Sequence, residues 1–135
     1  MNFLGYRNLT TYTKAQEIVL KVYEMLSLFP KEEQFALCSQ LRRSAVSVTS
    51  NLAEGVSRYS YKEKIHFLEL SFGSLMEVMS QLEIAQMLGY ISKEDLHNME
   101  LLVVAEAQLI TNLQYSYIPK GENGETLKPY KRPNS

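Results

Sequence analysis

The stretch that decides the fold is Cys38-Ser-Gln-Leu41-Arg-Arg-Ser-Ala45-Val-Ser-Val48-Thr-Ser-Asn-Leu52. Cys38, Leu41, Ala45, Val48 and Leu52 alternate three and four residues apart, the spacing of a seam that one helix presents to a bundle. Ser44 to Asn51 is rich in serine, threonine and valine, which are poor helix formers, so packing must hold this segment helical. Its small side chains let a neighbour come close.

Upstream, Ala15, Ile18, Val19, Val22, Leu26 and Phe29 recur at helical spacing behind Thr13-x-x-Gln16, which reads as a capping box. They predict a first helix over about Lys14 to Phe29. Pro30 stops it, and Lys31-Glu32-Glu33 places acids near the start of a second helix that runs to about Ser57. Downstream, Ser60-x-x-Glu63 opens a third helix with Ile65, Leu68, Phe72, Leu75, Met79 and Leu82 along its seam, ending at Gly89. Ser92-x-x-Asp95 opens the fourth, whose Leu96, Met99, Val103, Ile110, Leu113 and Tyr117 lead to Pro119. Glu106 interrupts that last seam and is expected at its edge. Short connections make successive helices antiparallel, so the reading is an all-α, up-down-up-down four-helix bundle over residues 1–118. Residues 119–135 mix glycine, proline and charge with few apolar side chains, and read as a flexible C-terminal tail.

The whole chain has 135 residues, 45% of them hydrophobic, enough for one domain with a core. A net charge of -1 argues against a generally polycationic nucleic-acid binder. Cys38 is the single cysteine, so no internal disulfide forms, and a reducing cytoplasm is the expected setting. No signal peptide or membrane-spanning run is read, and no membrane partner is expected.

Two Glu-x-x-His spacings, Glu63 with His66 and Glu94 with His97, resemble a di-iron bundle pattern. Their histidines would sit roughly 27 Å apart along an antiparallel bundle at about 1.5 Å per residue, too far for one cluster. Glu63 and Glu94 are explained by helix starts, so neither metal nor cofactor is expected. No P-loop, Gly-x-Ser-x-Gly elbow or dinucleotide fingerprint occurs, and the chain reads as a non-enzyme.

Charge is unevenly spread. Arg42, Arg43, Arg58, Lys62 and Lys64 outnumber Glu54 and Glu63 between Gln40 and Lys64, whereas Glu69, Glu77, Glu83, Glu94, Asp95, Glu100 and Glu106 dominate beyond Leu68. Such polarity suits phosphates, or a basic face of one copy meeting an acidic face of the next. Arg58-Tyr59-Ser60-Tyr61-Lys62 interleaves rings and cations, which can stack bases while neutralising phosphate, and Lys128-Pro-Tyr130-Lys131-Arg132 repeats that chemistry. Tyrosines packed on neighbouring helices are the plainer reading. The candidate nucleic-acid residues are therefore Arg42, Arg43, Arg58, Tyr59, Tyr61, Lys62 and Lys64. Phe67, Leu70, Met76, Ile84 and Met87, with Leu101, Leu102, Val104 and Ala105, exceed the needs of one seam and suit self-association.

Leu9-Thr-Thr-Tyr-Thr-Lys-Ala15, Phe29-Pro-Lys-Glu-Glu33 and above all Ser39-Gln-Leu-Arg-Arg-Ser-Ala-Val-Ser-Val-Thr-Ser-Asn-Leu-Ala-Glu-Gly55 resemble the four-helix-bundle proteins encoded in bacterial 23S rRNA intervening sequences, the S23 family. The resemblance covers about Leu9 to Ile118. It implies a homopentamer, and a similar bundle is the accessory protein of diversity-generating retroelements, which works with a reverse transcriptase and nucleic acid. The implied partners are thus further copies of the chain, RNA or DNA, and a nucleic-acid-processing protein. The family motif falls on Gln40, Arg42, Arg43, Ser47, Asn51, Glu54 and Gly55, residues for subunit contacts or a nucleic-acid face. Tyr12 stands where the family usually has tryptophan and Thr49 where it often has proline, so a kink in the second helix should be milder here.

Overall fold

A computed structural model describes residues 2–120 and Arg132. After a 3-10 turn at Gly5–Asn8, four helices follow: α1 (Thr10–Leu26), α2 (Leu37–Ser57), α3 (Tyr61–Met87) and α4 (Lys93–Tyr117). They form an all-α antiparallel four-helix bundle. Each helix neighbours the next, and α4 returns to α1.

The first helix begins earlier than its supposed cap. Thr13 lies inside α1, where its hydroxyl donates to the Leu9 carbonyl, and Leu9 stands at the N-cap without a side-chain bond. Tyr12 packs edge-on against Tyr6, ring centres 4.9 Å apart, which ties the 3-10 turn to the start of α1. Pro30 opens a short 3-10 turn, Lys31–Glu33, rather than α2 itself. Arg42 secures this connection by donating to the Gln34 carbonyl at 3.0 Å.

The other caps follow the sequence more closely. Ser60 accepts from the Glu63 amide, and Ser92 with Asp95 makes a reciprocal capping box. At the end of α3, Gly89 takes φ +82°. Its amide donates to Gln86 and that of Tyr90 to Ala85, the paired bonds with which a left-handed residue closes a helix.

The α2 seam of Cys38, Leu41, Ala45, Val48 and Leu52 is buried throughout. On α3 the buried line is Leu68, Ser71, Leu75, Val78, Leu82 and Ala85, so Phe72 and Met79 flank the core. On α4 it is Met99, Val103, Glu106, Ile110 and Gln114. Glu106 is therefore not at the edge: it is wholly buried, and neither carboxylate oxygen has a hydrogen-bond partner among the described residues. Burial pushes its pKa up to about 8, against a weaker downward pull from Lys14. A neutral acid can occupy the core where a carboxylate could not.

The tail assigned to residues 119–135 lies, apart from Pro119, Lys120 and Arg132, outside the described residues.

Candidate assembly and nucleic-acid surfaces

The serine-rich middle of α2 faces α3. Ser74 donates to Ser47 Oγ at 2.9 Å, Ser71 to the Val48 carbonyl at 2.8 Å, and the Asn51 amide to both oxygens of Ser47. One helical step on, Gly55 is buried where an added Cβ would stand 2.9 Å from Phe67 Cβ and 3.2 Å from the Lys64 carbonyl. Ser47, Asn51 and Gly55 recur every four residues, so they form one stripe that lets α3 approach closely. Three of the seven motif residues thereby have a packing explanation. Thr49, the departure from proline, bonds its hydroxyl to the Val46 carbonyl, and α2 runs unbroken through it.

The basic residues divide into two groups. Arg42 and Arg43 lie roughly 22 Å along the helix from Arg58, counting about 1.5 Å per residue. Several are already engaged. Arg42 holds the Gln34 carbonyl; Arg58 pairs with Glu54 and stacks 4.5 Å from the Phe67 ring centre. Lys64 donates to the Val56 carbonyl at 2.8 Å and lies 5.1 Å from the Tyr117 ring centre, tying the end of α2 to α3 and α4. Arg43 and Lys62 are exposed and make no ion pair among the described residues. Tyr59 is 102% exposed, so its ring packs on no neighbouring helix, while Tyr61 is half-buried.

On the α2/α3 surface, Arg42, Arg43, Ser44, Ser47, Ser50, Ser74 and Glu77 line an open cleft of about 630 Å³ that Tyr23 and Val46 extend toward α1. It continues past Gln40 and Gln81, and the Gln81 amide oxygen is buried without a partner among the described residues. Of the motif residues beside this groove, Gln40 and Arg43 are exposed and Arg42 and Ser47 half-buried. The sequence reading did not single out Tyr23, Ser74 or Gln81, and it named Glu77 only among the acidic residues beyond Leu68; Ser71-Phe-Gly-Ser74 was the one local signal, small residues where a seam was expected to be bulky.

The bundle also bears two separate apolar strips. Leu20 and Tyr23 of α1 are exposed with Val46 of α2, bridged by clefts that include Thr49 and Ser50. Met76 of α3 is exposed with Val104 and Tyr115 of α4, along a cleft of about 590 Å³. In the cyclic order of the helices, the α1/α2 and α3/α4 faces lie on opposite sides.

Metal-binding geometry is not assembled: no group of three or more His, Cys, Asp or Glu is placed to hold an ion among the described residues. His97 instead sits 3.7 Å from Glu100, and His66 packs edge-on against Phe67. Cys38 is free and buried, and burial raises its thiol pKa, which disfavours the reactive thiolate. No described helix is long and apolar enough to cross a membrane.

The family model of the 23S rRNA-intervening sequence proteins matches residues 7–112. The crystal structure of a protein of unknown function from the S23 ribosomal protein family of Bacteroides thetaiotaomicron VPI-5482 matches with a TM-score of 0.69 and 19% identity, over 78% of this chain and 98% of that one. At that identity the likeness is one of fold. No curated protein matches the sequence.

Proposed function

This chain belongs to the 23S rRNA-intervening sequence protein family, and from its surface we propose that it acts without catalysis, as a homo-oligomeric scaffold closed into a ring. The observation that carries this reading is the pair of apolar strips on opposite faces. A two-fold dimer needs one self-complementary patch, whereas two different patches joined copy to copy generate a ring when the rotation closes. Charge supports the same pairing. Arg42 and Arg43 border the α1/α2 strip, and Glu83 follows Met76 on one stripe of α3 by its seven-residue spacing. Opposite charges at the rims favour a fixed register between copies. The S23 resemblance implies five copies in the ring, and the single cysteine, Cys38, suits a reducing cytoplasm. Native mass spectrometry of the full chain tests the scaffold; a monomer at every working concentration would sink it.

A second activity, affinity for RNA or DNA, is favoured by the fully exposed ring of Tyr59 close to Lys62. An aromatic face open to solvent beside a cation suits an unpaired base and its phosphate. Since Arg42, Arg58 and Lys64 already serve the bundle, Arg43 and Lys62 would carry most of the phosphate contact. Binding that does not weaken with added salt would rule out this role.

A further inference from the structure

Arg132 is held against the α3/α4 face by all three nitrogens of its guanidinium. Nε donates to Thr111 Oγ1 at 2.8 Å, Nη1 to Glu69 Oε1 at 2.7 Å and Nη2 to Gln114 Oε1 at 2.7 Å. Its Cζ lies 3.2 Å from the centre of the Phe72 ring, and the side chain is 13% exposed.

The receptor is oriented from beneath. Gln114 is wholly buried, and its Nε2 donates to the Ile65 carbonyl and to Glu69 Oε1. That fixes the amide: a flip would set its oxygen against a carbonyl and a carboxylate, and its NH2 against the guanidinium. Glu69 is held by Gln114 while it pairs with Arg132, so carboxylate, amide and cation form one network anchored in the core.

We propose that Glu69, Phe72, Thr111 and Gln114 form an arginine-specific docking site on the α3/α4 face, whose resident ligand is the guanidinium of the chain's own Arg132. Three acceptors meet three nitrogens of a planar cation, and an aromatic face lies against its plane. An ammonium is compact and cannot satisfy three such separated acceptors at once, so lysine is a poor substitute. The ring adds a cation–π attraction that is stronger where water is excluded. The site opens onto the cleft of Met76, Val103, Val104 and Ala107, so the docked arginine borders one of the two apolar strips. The proposal stands whether or not that strip binds another copy.

The test is nuclear magnetic resonance of the full chain with 15N-labelled arginine and glutamine, in which Arg132→Lys identifies the Arg132 Nε–H signal among five arginines. In the wild type this signal is shifted upfield by the Phe72 ring. It exchanges with water at least about tenfold more slowly than in free arginine, as expected of a hydrogen bond made by a charged group. Phe72→Leu removes the ring shift, and Thr111→Val restores fast exchange. Glu69→Gln, a change at a half-exposed side chain that leaves the core intact, also speeds exchange. Arg132→Lys perturbs the Gln114 amide as much as Arg132→Ala does. A wild-type Arg132 signal with the shift and exchange rate of free arginine overturns the proposal, and a Gln114 amide unmoved by Arg132→Lys overturns its arginine specificity. Contacts between Arg132 of a labelled chain and Phe72 of an unlabelled one, in a mixed sample, would overturn the assignment to the chain's own arginine.

Discussion

Replacing Glu106 by glutamine should make the bundle more stable, by an amount that grows with pH. The carboxyl is wholly buried and its oxygens are unpartnered among the described residues, and its pKa stands at about 8 in the folded protein, against about 4.3 for an unperturbed glutamate. Between those values the folded state keeps a proton that the unfolded state has released. Stability therefore falls as pH rises, by about 1.4 kcal/mol per unit. The loss begins near pH 4, reaches about 3 to 4 kcal/mol at pH 7, and levels off above pH 8 at about 5 kcal/mol. Glutamine has the same shape and no ionisation, so its curve lacks this component. Lys14, the cation that pulls the pKa down, is retained in both proteins. Urea unfolding followed by circular dichroism from pH 4 to 9, at one fixed protein concentration, gives the difference between the two curves directly. It should be near zero at pH 4 and favour Glu106→Gln by several kcal/mol at pH 8. Curves that stay parallel over the range would refute the argument that this acid is held protonated.

Gly55→Ala should destabilise the bundle by about 1 to 2 kcal/mol, because overpacking against Phe67 Cβ and the Lys64 carbonyl outweighs the better helix propensity of alanine; thermal unfolding of the two proteins checks it. Nucleic-acid affinity should fall with salt at a logarithmic slope of about -1.5 for each engaged chain, as expected of roughly two phosphate contacts. Replacing Arg43 and Lys62 together by alanine should abolish most of that slope, whereas Tyr59→Ala should weaken binding with the slope unchanged, as a fluorescence titration over a salt series would register.

The sequence was most legible where one periodicity had no rival. On α2, polar and small residues surround a single apolar line, and Cys38, Leu41, Ala45, Val48 and Leu52 were read correctly as its buried face. On α3 and α4, apolar residues such as Leu70, Met76, Ile84, Leu101 and Val104 lie all round, so spacing alone could not choose the inward line. Packing chose it instead: the small face of α2 draws Ser71 and Ser74 inward and leaves Phe72 beside the core. Glu106 and Gln114 were missed because a polar residue in a helix is ordinarily solvated, and nothing local marks one that is not. Caps at Ser60 and Ser92 were legible because they are made within three residues; Thr13 misled because the contact of Tyr12 with Tyr6 belongs to a helix that starts earlier. The candidate basic region was legible as composition only. Which cations were already committed to Gln34, Glu54 and Val56 depended on contacts that spacing does not encode.

The scaffold reading is met most directly by the mass of the full chain in solution, measured by native mass spectrometry alongside Leu20→Glu and Val104→Glu, which charge one apolar strip each. The wild type should run as a closed ring, five copies by the S23 resemblance. Either variant alone should fall to smaller species, because every contact in such a ring uses both strips. A wild type that remains monomeric, or a ring that survives both substitutions, would contradict assembly through these faces.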